Sequence, residues 1–395
     1  MKRLLGGFLL LGIVLGPLAC GQKGGDLVIG EYGSLTGPTA TFGKSTNKGI
    51  ALAIRHANEA GGVGGTMLRV VTEDDQGKPE EAATAVNKLV SQDQVIAVLG
   101  EVASSNSLAG APICQKAGVP MISPSSTNEK VTEVGDFIFR VCFIDPFQGA
   151  VMAKFAFQSL GLTRVGILRD LRSDYSIGLA GVFRQTFESL GGTICADESY
   201  QQGDVDFRAP LTAILATRPQ AIFAPGYYTD VGLIARQARD LGITVPLLGG
   251  DGWDSPKLTE IGGKAIDGCF FSNHYSSDDQ NPVVQEFIAN YRSAYDEVPD
   301  AIAALGYDAA RLLVHVLTVM HTEDPDAFAV LVGGGAGREK RQAAQRKLRD
   351  LIASTRDFPG VTGSITLDER RNALKPAVVL KIENQKYTFV ERIAP

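Results

Sequence analysis

Two polar segments of the chain carry hydroxyl groups that could hold an anion, and each follows an apolar run. Residues 100–107 follow the run at 95–99, whose β-branched residues are typical of a buried parallel strand. Residues 122–127, rich in serine and threonine, follow the next strand-like stretch. The first segment opens a predicted helix, and a helix N-terminus has unpaired N–H groups and partial positive charge. The serines could simply cap that helix, but hydroxyls at two adjacent strand ends favour a crevice for an anionic group such as a carboxylate.

Motifs typical of enzymes fail on their spacing. Gly43, Lys44 and Ser45 follow a predicted strand, but a phosphate-binding loop needs glycine at a position that Pro38 occupies. The glycine-rich residues 61–65 come after a helix and before a strand, which is the reverse of a dinucleotide-binding motif and is typical of a helix stop. The sequence has no G-x-S-x-G turn, and its four histidines have no metal-ligand partners at a recognised spacing. We therefore predict no catalysis, no cofactor and no metal.

The first twenty residues predict export from the cytoplasm. Lys2 and Arg3 precede an apolar stretch at 4–18 that is too short to span a bilayer comfortably, and Cys20 follows it. This order resembles the cleavage box of bacterial lipoproteins, in which the cysteine becomes the lipidated first residue. The match is imperfect, because the pattern has leucine where this chain has Pro17. We predict a signal peptide at 1–19 and a lipidated, glycine-rich tether at 20–26. Cleavage by the ordinary signal peptidase and a permanent membrane helix are the alternatives.

The composition argues against nucleic acid as a partner. Removal of the signal peptide takes the formal charge from −6 to −8, and the basic residues of the remaining chain are scattered. The densest basic stretch, at 338–349, is interleaved with glutamine and alanine and is typical of a solvated helix face. The cysteines after Cys20 are far apart and include no C-x-x-C pair, so disulfides and buried free thiols are both open. They are Cys114, Cys142, Cys195 and Cys269.

The alternation of strand and helix patterns predicts a two-lobed α/β protein. About 370 residues after the signal exceed what one hydrophobic core organises, and strand and helix patterns alternate from residue 27 onward. Such alternation gives parallel sheets with helices on both faces. Residues 80–100 and 206–226 repeat the order helix, strand, glycine. If this repeat is structural, Ser104 and Tyr227 occupy equivalent strand-end loops of opposite lobes and face each other across a cleft. The glycine-rich residues 331–337 predict a flexible insertion.

Six short motifs stand in an order and at a spacing similar to those of a known family. They are residues 33–38 (GSLTGP), 73–75 (EDD), 100–105 (GEVASS), 118–124 (GVPMISP), 249–253 (GGDGW) and 360–368. Together they resemble the periplasmic substrate-binding proteins of branched-chain amino-acid ABC transporters, the type I Leu/Ile/Val-binding family. The resemblance covers nearly all of 26–395. An insertion at about 332–347 departs from it, and so does the lack of a cysteine pair that some members carry near Gln76 and Ala103.

The resemblance implies the type I periplasmic-binding-protein fold, an α/β architecture of two doubly wound parallel-sheet lobes that close around a ligand. It places three hinge crossings between the lobes, near Asp145, Tyr275 and Gly363. The first lobe is therefore expected to comprise 27–145 and 275–362, and the second 146–274 and 363–395.

The resemblance also implies which residues hold the charges of the ligand. Ser104, Ser125 and Thr127 match residues that hold the carboxylate and ammonium of an amino acid, and Ser105, next to Ser104, is also expected to bind the ligand. Asp251 matches an acidic residue that pairs with the ammonium. Members often have glutamate there, so the shorter aspartate shifts the amino group or recruits a water. This agrees with elementary physics, because each charge of a zwitterion taken from water must be paired or hydrogen-bonded.

Aromatic residues complete the expected site. Tyr175 and Tyr227 match residues that close over the ligand from the second lobe, and Phe42 is a candidate contact for the ligand's side chain. Each site residue has a plainer alternative: Asp251 as a turn residue, Tyr175 as an exposed helix start, Tyr227 or Tyr228 as cleft wall, and Phe42 as packing.

These observations lead to one functional hypothesis and two rivals. The chain is expected to be a monomeric, lipid-anchored receptor, periplasmic or at the bacterial cell surface, that captures a small aliphatic amino acid. The amino acid is expected to be branched-chain, and the receptor delivers it to the permease subunits of an ABC transporter. The first rival is a receptor of the same fold for an amide, urea or aromatic acid. The second is a secreted hydrolase that uses a cleft serine, although no histidine has a motif-level link to Ser104.

Overall fold

The computed structural model describes residues 25–333 and 336–394 of the chain. The predicted signal peptide, Cys20 and the tether up to residue 24 lie outside these residues, as do Gly334 and Gly335 of the predicted flexible insertion. The described strands are β1 (Leu27–Gly33), β2 (Leu68–Asp74), β3 (Val98–Leu99), β4 (Met121–Ser123), β5 (Ile138–Arg140), β6 (Arg164–Asp170), β7 (Thr193–Tyr200), β8 (Ala221–Phe223), β9 (Leu247–Gly249), β10 (Phe270–Asn273), β11 (Phe358–Gly360), β12 (Gly363–Leu367), β13 (Ala373–Leu374), β14 (Ala377–Glu383) and β15 (Lys386–Ile393).

The described α-helices are α1 (Ala40–Glu59), α2 (Pro79–Ser91), α3 (Ser104–Ala117), α4 (Lys130–Glu133), α5 (Asp145–Lys154), α6 (Asp174–Ser189), α7 (Arg208–Ala216), α8 (Tyr228–Asp240), α9 (Pro256–Gly262), α10 (Pro282–Tyr295), α11 (Ala301–Glu323), α12 (Pro325–Val332) and α13 (Arg338–Ala353). A π-helical segment, Phe155–Ser159, continues α5, and a short 3₁₀ helix, Asp251–Trp253, follows β9. Some of the described helices begin with a side-chain cap. For example, Ser173 caps α6 by accepting a hydrogen bond from the backbone N–H of Ser176 at 3.2 Å.

The first lobe is built on a five-stranded sheet in the order β2-β1-β3-β4-β5, and every neighbouring pair is parallel. Helices cover both faces of this sheet. Apolar residues of α1, α10, α11 and α13 fill the core on one face, and residues of α2 and α3 fill the core on the other. This is the arrangement that the alternating strand and helix patterns predict.

The second lobe is built on a seven-stranded sheet in the order β15-β14-β10-β9-β8-β6-β7. Five of its strands run parallel, while β14 pairs antiparallel with β10 and β15 pairs antiparallel with β14. The two lobes therefore have parallel strands whose carboxyl ends carry the loops that meet between them, which is where ligands bind in this class of fold.

The chain passes between the lobes three times. The passages are the crossing segments 141–144, between β5 and α5, 274–281, between β10 and α10, and 375–376, between β13 and β14. The third corrects the expected crossing near Gly363. Ile365, Leu367 and Ala373 pack into the core of the first lobe, so residues 363–374 belong to that lobe and not to the second. Burial of these apolar side chains stabilises residues 363–374 on the first lobe. The chain enters the second lobe with β14, which pairs with β10.

Helices α1 and α11 pack against each other with their backbones in close approach. A Cβ on Gly49 would lie 2.1 Å from the carbonyl oxygen of Ala303, and a Cβ on Gly306 would lie 2.6 Å from that of Thr46. Only glycine fits at such distances. Although α11 is long and apolar enough to span a bilayer, 72% of its most apolar window is buried inside the lobe. It is therefore a core helix.

The structure shows the state of the cysteines and the position of the basic stretch at 338–349. All four described cysteines are free thiols, and burial raises the pKa of the Cys142 thiol to about 12. The basic stretch lies in α13, which buries Leu348 and Ile352 and exposes Arg346. This is the solvated helix face that the sequence predicts.

Candidate functional site

A small closed cavity lies between the two lobes. Its volume of about 10 Å³ has room for about one water molecule. The residues that line it are Phe42, Val102, Ser125, Tyr175, Tyr227, Asp251, Gly252 and Ile302. The structure thus brings five of the predicted site residues around one cavity, together with Val102, Gly252 and Ile302, which the sequence does not single out. A ligand larger than water requires the lobes or these side chains to move apart.

Both lobes contribute loops and helix starts to the cavity. From the first lobe, Phe42 comes from the first turn of α1, Ser125 from the loop after β4, and Ile302 from the first turn of α11. From the second lobe, Tyr175 comes from the first turn of α6, and Tyr227 directly precedes α8. These loops and helix starts lie near the carboxyl ends of strands, as the predicted crevice requires.

Asp251 is the buried charge of the cavity. The residue as a whole is 4% exposed. Its carboxylate accepts hydrogen bonds from Gln148 Nε2 at 2.8 Å and from Ser125 Oγ at 3.4 Å. The ring nitrogen Nε2 of His274 lies 3.0 Å from Oδ2 of Asp251. Among the described residues, no lysine or arginine lies within 4 Å of this carboxylate. A buried carboxylate without a cationic partner suits a positively charged ligand group.

Asp251 also begins the 3₁₀ turn between Gly250 and Trp253. Asp251 is therefore a turn residue, as the plainer alternative proposes, and its side chain also faces the cavity. Behind it, burial raises the pKa of Asp145 to about 8. Among the described residues, neither carboxylate oxygen of Asp145 has a hydrogen-bond partner. A cation in the cavity would favour the ionised form of the Asp145 carboxyl group.

His274 is a site residue that sequence reasoning missed. It directly follows β10, and its ring stacks on Phe143 with a centroid separation of 3.8 Å. Burial lowers the pKa of His274, and the hydrogen bond to Asp251 opposes that shift. The available signal was its position, since polar residues just after parallel strands face the cleft.

Three aromatic rings form the apolar wall. Tyr175 and Tyr227 lie parallel with centroids 5.3 Å apart, and Phe42 meets Tyr227 edge-on at 5.6 Å. The hydroxyl of Tyr175 accepts a hydrogen bond from the backbone N–H of Gly252 at 3.1 Å. Tyr175 is buried, so the alternative of an exposed helix start is wrong. Burial raises the pKa values of both tyrosines, which keeps their hydroxyls protonated.

The hydroxyls of the first lobe join its two polar segments to each other. Ser104 begins α3, and its hydroxyl accepts a hydrogen bond from the backbone N–H of Asn128 at 3.3 Å. The hydroxyls of Ser107 and Ser126 lie 2.7 Å apart. The buried hydroxyl of Thr127 has no hydrogen-bond partner among the described residues. Ser104 and Thr127 are absent from the immediate cavity lining, and their contact with a ligand stays a prediction.

Ser105 lies in a contact between the lobes. Its hydroxyl donates to Oδ2 of Asp174 at 2.8 Å and accepts from the backbone N–H of the same residue at 3.0 Å. Other hydrogen bonds also join the lobes, including one from the Thr229 hydroxyl to the carbonyl of Pro38 at 2.7 Å. The structure therefore represents a closed arrangement, in which the hydroxyl of Ser105 is occupied by Asp174.

We expect Ser105→Ala to weaken ligand binding by about two- to tenfold, because it removes the two hydrogen bonds between this hydroxyl and Asp174, which exist only when the lobes are closed. Isothermal titration calorimetry with an aliphatic amino acid, the ligand class that the sequence predicts, measures the change. Ser91→Ala, at an exposed position of the same lobe, is the matched control. A loss of more than a hundredfold would contradict this assignment and would restore Ser105 as a direct ligand contact.

Comparisons with known proteins agree with one family. A sequence profile of the family described as "Periplasmic binding protein" matches residues 27–386. The Leu/Ile/Val-binding protein BraC3 of Rhizobium johnstonii is 30% identical over 312 residues, which cover 78% of this chain and 84% of that relative.

Two solved structures are similar over nearly their whole length. The leucine binding protein LivK from Thermotoga maritima is 38% identical, with a TM-score of 0.83 over 93% of this chain and 99% of that chain. The branched-chain amino acid transporter substrate binding protein LivJ from Streptococcus pneumoniae, in complex with isoleucine, is 32% identical. Its TM-score is 0.82, over 94% of this chain and all of that one.

Proposed function

The chain belongs to the periplasmic binding protein family, and from that premise we propose that it captures a branched-chain amino acid between its lobes and delivers it to an ABC permease. The predicted family and fold class are confirmed. Members of this family are extracytoplasmic, non-enzymatic receptors of ABC importers, so the prediction that the chain is not an enzyme also holds. The ligand, its contacts and the permease are the proposal.

The observation that carries the proposal is the carboxylate of Asp251, which no lysine or arginine of the described residues neutralises. Apart from Ser125 and Gly252, the other residues that line its cavity are aromatic or aliphatic. A free amino acid brings an ammonium that compensates the Asp251 charge. An aliphatic side chain can then pack against Phe42 and Ile302, which line the same cavity. A benzoate-like acid would bring no cation to Asp251, so the proposal favours an amino acid over an aromatic acid.

The carboxylate of the ligand is assigned to the first lobe. Helix α3 begins at Ser104, and its N-terminus carries partial positive charge. The unpartnered hydroxyl of Thr127 is buried in the neighbouring polar loop. We propose that these two groups and Ser125 receive the carboxylate when the lobes close on an amino acid.

A thermal-shift screen of the twenty amino acids tests the proposal, with urea, an aliphatic amide and benzoate as further probes. Ligand at about 100 times its Kd adds about 2.7 kcal/mol of stability, which is several degrees in a protein of this size. We expect the largest shifts with leucine, isoleucine or valine. A largest shift with benzoate or with the amide would overturn the amino-acid assignment.

The hydrolase rival lacks a histidine in hydrogen-bond contact with a serine among the described residues. The only ring-nitrogen contact of His274 among the described residues is with Asp251. Turnover of amino-acid amides or esters would contradict the non-enzymatic assignment.

We also propose that Cys20, outside the described residues, is lipidated and anchors the receptor to a membrane. The basic, apolar and cysteine order of the first twenty residues supports this proposal. We expect the mature protein to begin at Cys20 and to carry more than one acyl chain, because one chain gives only marginal membrane binding. Intact-mass analysis measures this directly. An unmodified N-terminus at any other residue would contradict the anchor without affecting the ligand assignment.

A further inference from the structure

His274 links the cavity to the crossing segments between the lobes. It is the first residue of the second crossing segment, and its ring stacks on Phe143 of the first crossing segment at 3.8 Å. Lys375, in the third, donates to the carbonyl of Val141, also in the first, at 3.0 Å. The same histidine lies 3.0 Å from Asp251 in the cavity. One side chain therefore contacts both the predicted ammonium partner and the segments that must bend when the lobes open.

We propose that His274 is a positioning residue that holds the Asp251 carboxylate toward the ammonium of the ligand, and that protonation of His274 opposes ligand binding. The proposal rests on the proposed function, since it requires an amino acid whose ammonium meets Asp251.

The hydrogen-bond pattern fixes the neutral form of the ring. A carboxylate only accepts hydrogen bonds, so Nε2 of His274 carries the hydrogen that points to Asp251. The other ring nitrogen, Nδ1, is buried without a partner among the described residues. A second proton would place an unpaired N–H donor in a buried position, which is unfavourable. In the neutral ring, Nδ1 is only an unpaired acceptor, so the closed arrangement favours that form.

The charges around His274 set the sign of the pH dependence. Asp251 faces the ring and favours its protonation, while Lys375 disfavours it. The carboxyl group of Asp145 and the thiol of Cys142 lie in the same region, because the charge of Asp251 contributes to the raised pKa of each. An ammonium bound to Asp251 adds a positive charge on the far side of that carboxylate. The ligand and the ring proton then compete for Asp251, so affinity falls as pH falls through the pKa of His274.

Asp145 contributes its own pH dependence in a higher range. Burial raises its pKa to about 8, and a bound ammonium favours its ionised form. Its effect on affinity therefore begins as pH falls below about 8. The effect of His274 begins below about 6.5, the ordinary pKa of histidine, because burial lowers this one further. A variant that lacks only the titrating ring separates the two.

Two substitutions separate positioning from packing. His274→Gln keeps an N–H donor near the place of Nε2 but cannot be protonated. His274→Phe keeps a ring to stack on Phe143 but removes the donor. At pH 7.5 we expect His274→Gln to bind leucine within about threefold of the wild-type protein and His274→Phe to bind it about tenfold more weakly or worse. Below pH 6.5, the wild-type affinity should fall more steeply than that of His274→Gln.

A double-mutant cycle with Asp251→Asn completes the test. We expect His274→Phe to cost little further affinity in the Asp251→Asn background, because the charge that it positions is absent. The inference is overturned if His274→Phe binds leucine like the wild-type protein, or if its cost is equal in both backgrounds. It is also overturned if the affinity of His274→Gln for leucine falls below pH 6.5 as steeply as that of the wild-type protein. This measurement does not need His274→Phe, so it still tests the inference if that variant fails to fold. If the wild-type protein binds no amino acid at all, the proposed function fails first.

Discussion

Asp251→Ala is expected to weaken leucine binding by about 3–5 kcal/mol, which is a loss of roughly 150-fold to several thousand-fold. The substitution leaves the ammonium of the ligand desolvated and without a counter-charge. It also leaves the donors on Gln148 and His274, at 2.8 and 3.0 Å from the carboxylate, without their acceptor. The desolvated ammonium is present only in the bound state. The free energy of leucine binding should therefore change far more than the free energy of unfolding of the ligand-free protein.

Calorimetry with leucine measures this loss, and thermal unfolding without ligand reports the stability. Asp240→Ala is the matched control, because Asp240 ends α8 in the same lobe and is exposed. Asp251→Asn keeps the size of the side chain and removes its charge, so it should lose most of the same affinity. A loss under about threefold for Asp251→Ala would mean that Asp251 serves only the turn that it begins.

Arg140→Met is expected to destabilise the protein by about 3–5 kcal/mol and to weaken leucine binding. The buried guanidinium of Arg140 donates to the backbone carbonyls of Ser126 at 2.5 Å, Asn128 at 2.8 Å and Glu129 at 3.2 Å. Methionine fills much of the same volume but leaves these carbonyls without a donor. The loop that they belong to carries Ser125 and Thr127, so its loss of order reaches the cavity.

Urea unfolding of the ligand-free protein measures the stability effect of Arg140→Met. Arg370→Met, at an exposed position of the same lobe, is the control and should change stability by less than about 0.5 kcal/mol. A stability change under 1 kcal/mol for Arg140→Met would show that water replaces the guanidinium at those carbonyls.

The sequence predicts the layered architecture because that information is local. Apolar runs and helix periodicity identify most strands and helices, since each pattern depends on neighbouring residues. The extent of single elements is less local. The run at 95–99 pairs as a strand only at Val98–Leu99. The third crossing lies after the expected position near Gly363, because Ile365 and Leu367 pack into the core of the first lobe. The residues that they contact are distant in sequence, so no local pattern indicates this packing.

Some residues of the site are indicated by local sequence, and others are not. Asp251, Tyr175 and Ser125 follow strands or begin helices, so their positions in the sequence indicate that they meet. Gln148 lies inside α5, where an amide side chain is most often ordinary, and nothing local directs it to the cavity. Ile302 is in the first turn of α11, but α11 follows another helix and not a strand, so its position gives no signal either. The contact between Ser105 and Asp174 depends on how the lobes meet, which no single segment encodes.

The close packing of α1 on α11 has a consequence for the order in which the chain folds. These helices are about 250 residues apart along the sequence, and their backbones touch at Gly49 and Gly306. Contacts of such separation slow folding, because the long intervening loop must close before they form. In a chain that emerges N-terminus first, the sheet of the first lobe lacks the cover of α11 until residue 323 has emerged. We therefore expect the first lobe to stay incomplete until α11 has emerged, although its strands are made first. The second lobe must wait for β14 and β15, so neither lobe completes early, and the chain stays unfolded long enough for threading through an export channel.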